Sequence, residues 1–123
     1  MTRTLIDSPA TYDPGTLAAT INAAMSEREF ANLVVQLAQI KGWKVYRTWN
    51  SLHSPAGYPD LTMARGTREG ETVGRLLFIE LKKESGKLTT AQRDWLAALL
   101  VAGAEARIWR PSMWNDIVEE LSR

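Results

Sequence analysis

The strongest constraint on the fold of this sequence is a short apolar segment near its middle, residues 76–82 (LLFIELK). In an extended strand successive side chains point to opposite faces, so Glu80 and Lys82 lie on one face and the alternating leucine and isoleucine side chains lie on the other. The pattern predicts a strand that buries its apolar face. It also places a carboxylate and an ammonium group roughly 7 Å apart on the opposite face.

A second carboxylate is predicted to lie beside this pair. Asp60 ends the turn sequence GYPD and opens the preceding strand, and the polar loop 66–71 suits an antiparallel hairpin between the two strands. Such a hairpin brings Asp60 next to Glu80. Two adjacent carboxylates are costly to ionise together unless a divalent cation lies between them. We therefore expect a hard-cation site of the magnesium type, with the Leu81 carbonyl oxygen as a further ligand.

Composition excludes several other kinds of site. At 123 residues, with 45% hydrophobic and 24% charged residues, the chain fits one globular domain. It has no cysteine, which excludes disulfides, thiolate nucleophiles and zinc sites that need sulfur, and His53 is its single histidine. The sequence shows no signal-peptide pattern and no run of 18 apolar residues, so we expect a cytoplasmic protein that does not span a membrane.

Basic residues are concentrated near the proposed cation site, although the net charge is only +1. A phosphate backbone responds to local charge rather than to the total. The loop that leads into Pro59 and Asp60 adds a few polar and basic side chains, and loops beside a site often contact its substrate. The candidate nucleic-acid contacts are Lys83, Lys87, Arg93, Arg47, His53 and Ser54.

Two capping boxes predict the starts of the main helices. Ser26 and Glu29 begin a helix that ends near Gly42. Thr89 and Gln92 begin a helix that runs through residue 100.

The first of these helices has an acidic residue on its apolar face. The stripe consists of Phe30, Leu33, Val34, Leu37 and Ile40. Glu27 falls on the same stripe, three residues before Phe30. A carboxylate on a face predicted to be buried indicates a role at a site, whereas Glu29 is explained by its cap.

The remaining segments complete an α/β pattern. An earlier helix begins at Asp13, strands cover residues 43–49 and 104–109, and a final helix runs from Pro111 to about Leu121. The element order is then α, α, β, β, β, α, β, α. This order predicts an α/β sandwich around a small mixed sheet.

We divide the chain into a lead-in with a short helix, residues 1–25, and a domain, residues 26–123. The lead-in segment 17–24 and the C-terminal helix are both more apolar than a peripheral helix requires, which makes them candidate surfaces for a homodimer. The apolar residues of the C-terminal helix are Trp114, Ile117, Val118 and Leu121.

Taken in order, these segments resemble the PD-(D/E)xK nuclease superfamily and, within it, the small VRR-NUC group. The resemblance covers about residues 26–111 and rests on four features. They are the helix with an inner acidic residue, the sequence GYPD ending at Asp60, the strand IELK ending at Lys82, and the sequence GKLTTAQRDWL that follows. The resemblance implies a restriction-endonuclease-like core, αβββαβ, that hydrolyses phosphodiester bonds in DNA with Mg²⁺ or Mn²⁺. Stand-alone members of the group look like Holliday-junction resolvases, which implies a homodimer that acts on branched DNA.

The resemblance also implies a role for each residue of the site. Asp60 and Glu80 match the acidic residues of the two motifs and would hold the cation, while Glu27 matches the acidic residue of the first helix and could hold a second one. We assign Lys82 orientation of the attacking water and charge stabilisation rather than the role of a base, because flanking carboxylates favour its ammonium form. Gln92 matches a glutamine that follows the second motif. Its place in a capping box explains it equally well, so both roles remain open.

Two functions from different classes fit the sequence. The first is a metal-dependent endonuclease, and the alternative is a catalytically inactive nuclease-fold module that binds or scaffolds nucleic acid. The intact set of Asp60, Glu80 and Lys82 favours the nuclease, since a site without turnover gives no physical reason to keep clustered charges.

The five tryptophans divide by position. Trp43, Trp95 and Trp109 fall in regular elements and are expected in the core. Trp49 and Trp114 are better placed for a ligand contact such as base stacking.

Overall fold

The computed structural model describes residues 24–49 and 54–123. Its elements are helix α1 (Glu27–Ile40), strands β1 (Lys44–Arg47), β2 (Leu61–Arg65) and β3 (Arg75–Leu81), helix α2 (Thr90–Val101), strand β4 (Glu105–Trp109), a 3-10 turn (Pro111–Met113) and helix α3 (Trp114–Ser122). The predicted order of these elements is confirmed, and the helix predicted to begin at Asp13 lies outside the described residues. The helices of the described residues, 9 to 14 residues long, are all too short to cross a membrane.

The four strands form one mixed sheet in the order β1-β2-β3-β4, which confirms the predicted α/β class. Strands β1 and β2 and strands β2 and β3 pair antiparallel, with Leu61 opposite Ile79. Strand β4 returns through α2 and pairs parallel to β3. The strand predicted over residues 43–49 is shorter than expected, since β1 ends at Arg47, and among the described strands it pairs with β2 alone.

Both predicted capping boxes are present. In α1 the Glu29 N–H donates to Ser26 Oγ at 3.1 Å and the Ser26 N–H donates to Glu29 Oε1 at 3.1 Å. Thr89 and Gln92 exchange the equivalent bonds at the start of α2. These bonds satisfy amide groups that the first turn of a helix otherwise leaves unpaired.

Helices cover both faces of the sheet. On one face α1 and α3 enclose the larger core, and on the other α2 packs against β4. Leu77, Ile79 and Leu81 all lie in the larger core, at most 1% exposed, which confirms the alternation predicted for β3. The intervening Phe78 joins the smaller cluster under α2, so Glu80 points to the same side as Phe78.

The apolar stripe of α1 is narrower than the sequence predicts. The helix buries Phe30, Val34 and Ala38, whereas Ile40 is 80% exposed and Leu33 is 39% exposed. The buried residues of α1 recur at every fourth position and therefore lie along one line of the helix. The helix ends just before Gly42, which adopts a positive φ of 90°.

The C-terminal helix is not a free apolar surface. Ile117 and Leu121 are 0% exposed and belong to the larger core, and Trp114 packs against it. The prediction that the apolar face of α3 is available to a second subunit is therefore wrong. Segment 17–24, the other predicted surface, lies outside the described residues except for its last residue.

A buried charge network lies at the end of the sheet where β3 begins. Glu120, 1% exposed, accepts from Arg75 Nη2 at 3.0 Å and from Arg107 Nη2 at 3.1 Å. The guanidinium groups of Arg65 and Arg75 also lie 5.3 and 5.7 Å from the centre of the Trp43 ring. Each buried charge of this network thus has a partner of opposite sign or an aromatic face, as burial of charge requires.

We predict that Glu120→Ala lowers the free energy of unfolding by about 3–5 kcal/mol, because it removes the buried carboxylate that Arg75 and Arg107 share and leaves both with the more exposed Glu105 as their carboxylate partner. The matched control is Glu119→Ala, which removes the neighbouring exposed carboxylate and should change stability by no more than about 0.5 kcal/mol. Urea unfolding followed by circular dichroism measures both. Equal unfolding midpoints for the two variants would contradict the structural role of the network.

Candidate active site

Asp60 is held beside Glu80 by the backbone of the hairpin. The register of β2 and β3 places Leu61 opposite Ile79, so the residues just outside that pair, Asp60 and Glu80, are neighbours. The Leu81 N–H donates to Asp60 Oδ2 at 2.8 Å, and the Asp60 carbonyl accepts from the Thr48 N–H at 2.8 Å. Asp60 is therefore fixed by both neighbouring strands.

A glycine allows the loop that carries Asp60 to pack closely on α2. Gly57 has a φ of 93°, and a Cβ atom there would lie 2.4 Å from the backbone carbonyl carbon of Ala91. Only glycine fits this close approach. Tyr58 then contacts Trp95 and Pro59 is buried, so the loop is anchored immediately before Asp60.

Glu80 is buried, and its surroundings disfavour the ionised form of its carboxyl group. It is 1% exposed. Burial raises its pKa to about 8, and the charge of Asp60 and a hydrogen bond with it act in the same direction, while the Lys82 ammonium opposes them. Without a cation, these surroundings therefore favour the protonated form of Glu80.

Lys82 lies between two carboxylates. Its Nζ atom is 3.6 Å from Glu80 Oε2 and 3.8 Å from Glu27 Oε1. The side chain of Glu27 is 49% exposed, so the prediction that it lies on a buried face is wrong. Because Glu27 is in the first turn of α1, the helix directs it to the rim of the site rather than into the core.

The carboxylate pair fits a hard cation. In the described part of the chain, Glu80 Oε1 is buried and has no hydrogen-bond donor facing it, although buried acceptors are almost always paired. Asp60 and Glu80 supply the oxygen ligands that Mg²⁺ and Mn²⁺ prefer. Residues 24–49 and 54–123 contain no group of three or more His, Cys, Asp or Glu side chains arranged for a metal. The candidate centre is thus the Asp60–Glu80 pair, while Glu27 is engaged with Lys82.

Two hollows that share Glu27 border the site, and we refer to them together as the cleft. The first, about 590 Å³, is lined by Glu27, Arg28, Ala31, Arg47, Thr48, Asp60, Leu61 and Leu81. The second, about 610 Å³, is lined by Ala24, Met25, Ser26, Glu27, Lys82, Lys83, Ser85, Gly86 and Lys87. Basic side chains therefore line both hollows. Arg28 was missed by the sequence analysis, because it falls between the capping residues and is otherwise an ordinary exposed helix residue.

The basic loop after β3 is held in place by the end of β4. Nη1 of Arg110 donates to the carbonyl oxygens of Lys83, Glu84 and Gly86 at 2.8, 3.2 and 2.7 Å. The Ser112 N–H donates to Glu84 Oε2 at 3.1 Å. These contacts, which the sequence analysis also missed, fix the backbone that carries the lysines of the second hollow.

The other predicted site residues lie apart from this cleft or outside the described chain. Gln92 Oε1 accepts from the Thr89 N–H at 2.9 Å, so its carbonyl group is occupied by the cap and only its amide nitrogen remains for another contact. Arg93 is exposed on the first turn of α2, and Ser54 lies in a neighbouring groove. His53 lies outside the described residues.

Comparisons with known proteins identify the family. The VRR-NUC domain model matches residues 3–112, which is most of the chain. The chain belongs to the VRR-NUC family. Its membership confirms the resemblance to the PD-(D/E)xK nuclease superfamily.

A solved structure supports the fold. A protein described as a VRR_NUC domain protein has a TM-score of 0.59 and 22% sequence identity, covering 80% of this chain and 86% of that chain. Hjc of Archaeoglobus fulgidus, described as a Holliday junction resolvase, has a TM-score of 0.45 and 24% identity, covering 68% of this chain and 65% of that chain. No match was found among curated proteins.

The pKa of Glu80 predicts a pH dependence of stability in the metal-free protein. Because this pKa is raised from its ordinary value of 4.5 to about 8 on folding, protonation of Glu80 contributes to the free energy of unfolding. This contribution is complete below pH 4.5 and is lost as pH rises through 8. Glu80→Gln cannot titrate, so its melting temperature relative to wild type should rise between pH 5 and pH 9 in EDTA. Thermal unfolding of both proteins measures this difference, in which other titrating groups cancel. A difference that stays constant across the pH range would contradict the proposed setting of Glu80.

Proposed function

We propose that this protein is a metal-dependent DNA endonuclease whose centre is the Asp60–Glu80 pair. One observation carries the proposal most directly: the buried Glu80 Oε1 faces no donor within the described residues, beside a second carboxylate and a lysine. A buried carboxyl oxygen without a hydrogen-bond partner is costly in a purely structural site. Membership of the VRR-NUC family supports the same function.

Magnesium or manganese is the proposed cofactor, held by Asp60 and Glu80 with the Leu81 carbonyl oxygen. When bound, such an ion supplies charge neutralisation on the phosphate and makes a water molecule more acidic. Cation binding replaces the proton that Glu80 otherwise carries, so we expect affinity for the metal to increase with pH.

The lysine of the centre acts on the phosphate and on the attacking water. Lys82 is 9% exposed and lies between Glu80 and Glu27, so its ammonium group occupies one position instead of ranging over the surface. A fixed positive charge stabilises negative charge that develops on the phosphate oxygens. Glu27 restrains Lys82 from the side of the cleft that is open to solvent.

The basic side chains of the cleft are proposed to hold the DNA backbone. Arg28 and Arg47 lie in one hollow, and Lys83 and Lys87 lie in the other, so a strand that crosses the cleft meets positive charge on both sides of the cation centre. Binding of this kind weakens steeply as salt concentration rises.

Substitution at the centre tests the proposed activity. Asp60→Ala, Glu80→Ala and Lys82→Ala should each reduce the cleavage rate at least about 100-fold, the scale on which one stabilising group in an active site acts. The control Glu69→Ala removes an exposed carboxylate from the loop between β2 and β3 and should cut at the wild-type rate. Rates are measured on labelled duplex and branched DNA in magnesium and in manganese.

Two outcomes of this assay would contradict the proposal. Wild-type rates in all three centre variants would remove the assignment of these residues, and cleavage that survives thorough EDTA treatment would exclude the metal. Binding of DNA by the wild type without cleavage in either metal would favour the inactive nuclease-fold module.

We further propose that the protein acts on branched DNA as a homodimer. The described residues contain one carboxylate centre, and cutting two strands at once requires two copies related by a two-fold axis. Light scattering at micromolar concentration should give twice the mass of the chain, and a four-way junction should compete better than linear duplex of equal length. A monomer mass with equal competition would reduce the proposal to a generic nuclease.

A further inference from the structure

A groove rich in aromatic residues adjoins the cleft and has no role in the chemistry described above. It encloses about 430 Å³, which is within the range of small-ligand pockets. We call it the aromatic groove, and its lining residues are Tyr46, Thr48, Trp49, Ser54, Pro55, Tyr58 and Trp95.

Aromatic rings in this groove are unusually open to solvent. Trp49 is 79% exposed and Tyr46 is 63% exposed, whereas Trp43 and Trp109 are each 3% exposed. Trp95, predicted to be a core residue, is instead half-buried and lines the groove. Exposed aromatic side chains that line one groove favour a binding surface more than singly exposed apolar side chains do.

One wall of the groove is built as a fixed platform. The rings of Tyr58 and Trp95 meet edge to face, with centroids 5.0 Å apart and planes at 80°. Gly57, packed against the backbone of Ala91, holds the loop that carries Tyr58 against the start of α2. The platform is therefore ordered before any ligand arrives, which lowers the entropic cost of binding.

The groove adjoins the proposed catalytic cleft. Thr48 lines both of them. Its N–H donates to the Asp60 carbonyl oxygen, and its hydroxyl donates to the Pro59 carbonyl oxygen. Tyr58 of the groove is separated from Asp60 of the centre by one residue. A nucleotide whose phosphate lies at the centre can thus extend its base toward the groove.

The two surfaces differ in charge. The described residues that line the aromatic groove include no charged side chain, whereas arginine, lysine and carboxylate groups line the cleft. The charged lining of the cleft favours a phosphate, and the uncharged aromatic lining of the groove favours a neutral, flat, aromatic group. Base stacking on aromatic side chains is the usual way in which proteins bind unpaired nucleotides.

We propose that the aromatic groove binds an unstacked nucleobase of the DNA substrate, next to the phosphate that is cut. The proposal rests on the nuclease function above and specifies the substrate further: DNA with an unpaired base beside the cleavage site. A base inside a duplex would first have to leave its stack, which costs free energy that an unpaired base does not. The groove thus selects against continuous duplex.

Binding to DNA that carries a fluorescent base tests the groove separately from catalysis. Two duplexes of equal length contain 2-aminopurine, in one opposite a thymine and in the other in an unpaired single-nucleotide bulge. In EDTA, so that no cleavage occurs, wild type should bind the bulged duplex more tightly and quench its fluorescence. Trp49→Ala and Tyr46→Ala should weaken that binding about 5- to 150-fold, the range found when one stacking ring is removed.

Two further variants act as controls. Trp49→Phe keeps an aromatic ring and should retain most of the preference for the bulged duplex. Val101→Ala removes an apolar side chain that is 90% exposed on α2 and outside the groove, and it should match wild type. Circular dichroism melting of all variants shows whether each is folded.

The possible results separate this proposal from the nuclease function. Equal affinity of wild type for the two duplexes, or wild-type binding by both Trp49→Ala and Tyr46→Ala, would overturn the groove proposal and leave the nuclease intact. A fall in molecular mass from dimer to monomer in these variants, with unchanged quenching, would overturn it in favour of a contact between subunits. Discrimination in binding without cleavage in magnesium or manganese would instead count against the nuclease function alone.

Discussion

The antiparallel pairing of β2 with β3 is the interaction on which the rest of the structure depends. The register that sets Leu61 opposite Ile79 in the core also sets Asp60 beside Glu80 at the end of the hairpin. A shift of one residue would expose the apolar side chains and separate the two carboxylates. Core formation and assembly of the site are therefore one event, and the hydrophobic free energy of the core holds the buried Glu80 carboxyl group beside a second carboxyl group.

The buried carboxyl groups at the two ends of the sheet differ in how completely they are paired. At the end where β3 begins, Glu120 is fully paired with Arg75 and Arg107. At the other end, Glu80 is equally buried, yet its pKa is raised to about 8 and within the described residues one of its oxygens faces no donor. A buried polar group that lacks partners, in a protein whose other buried polar groups are mostly paired, usually marks a functional site. We infer that the unsatisfied end is arranged for a ligand that supplies positive charge.

Much of this arrangement could be predicted from the sequence, because it follows from local patterns. The alternation in β3 placed Glu80 and Lys82, and the two capping boxes placed the starts of α1 and α2. Features that depend on packing between distant segments were not predictable. Examples are the burial of α3 in the core, the exposure of Ile40 and the position of Trp95 in the wall of a groove. A helical stripe shows which side chains are apolar but not how much of the stripe the sheet covers, and Arg110 contacts the loop after β3 from 24 to 27 residues away.

The most direct test of the account is the position of a bound metal in a crystal of the protein grown with manganese. Anomalous scattering locates manganese independently of any assumption about its ligands. The account predicts a peak bonded to carboxylate oxygens of both Asp60 and Glu80, and loss of that peak in Glu80→Gln. A fully ordered site with Asp60 and Glu80 in direct contact and no manganese between them, at a pH where Glu80 is ionised, would contradict it.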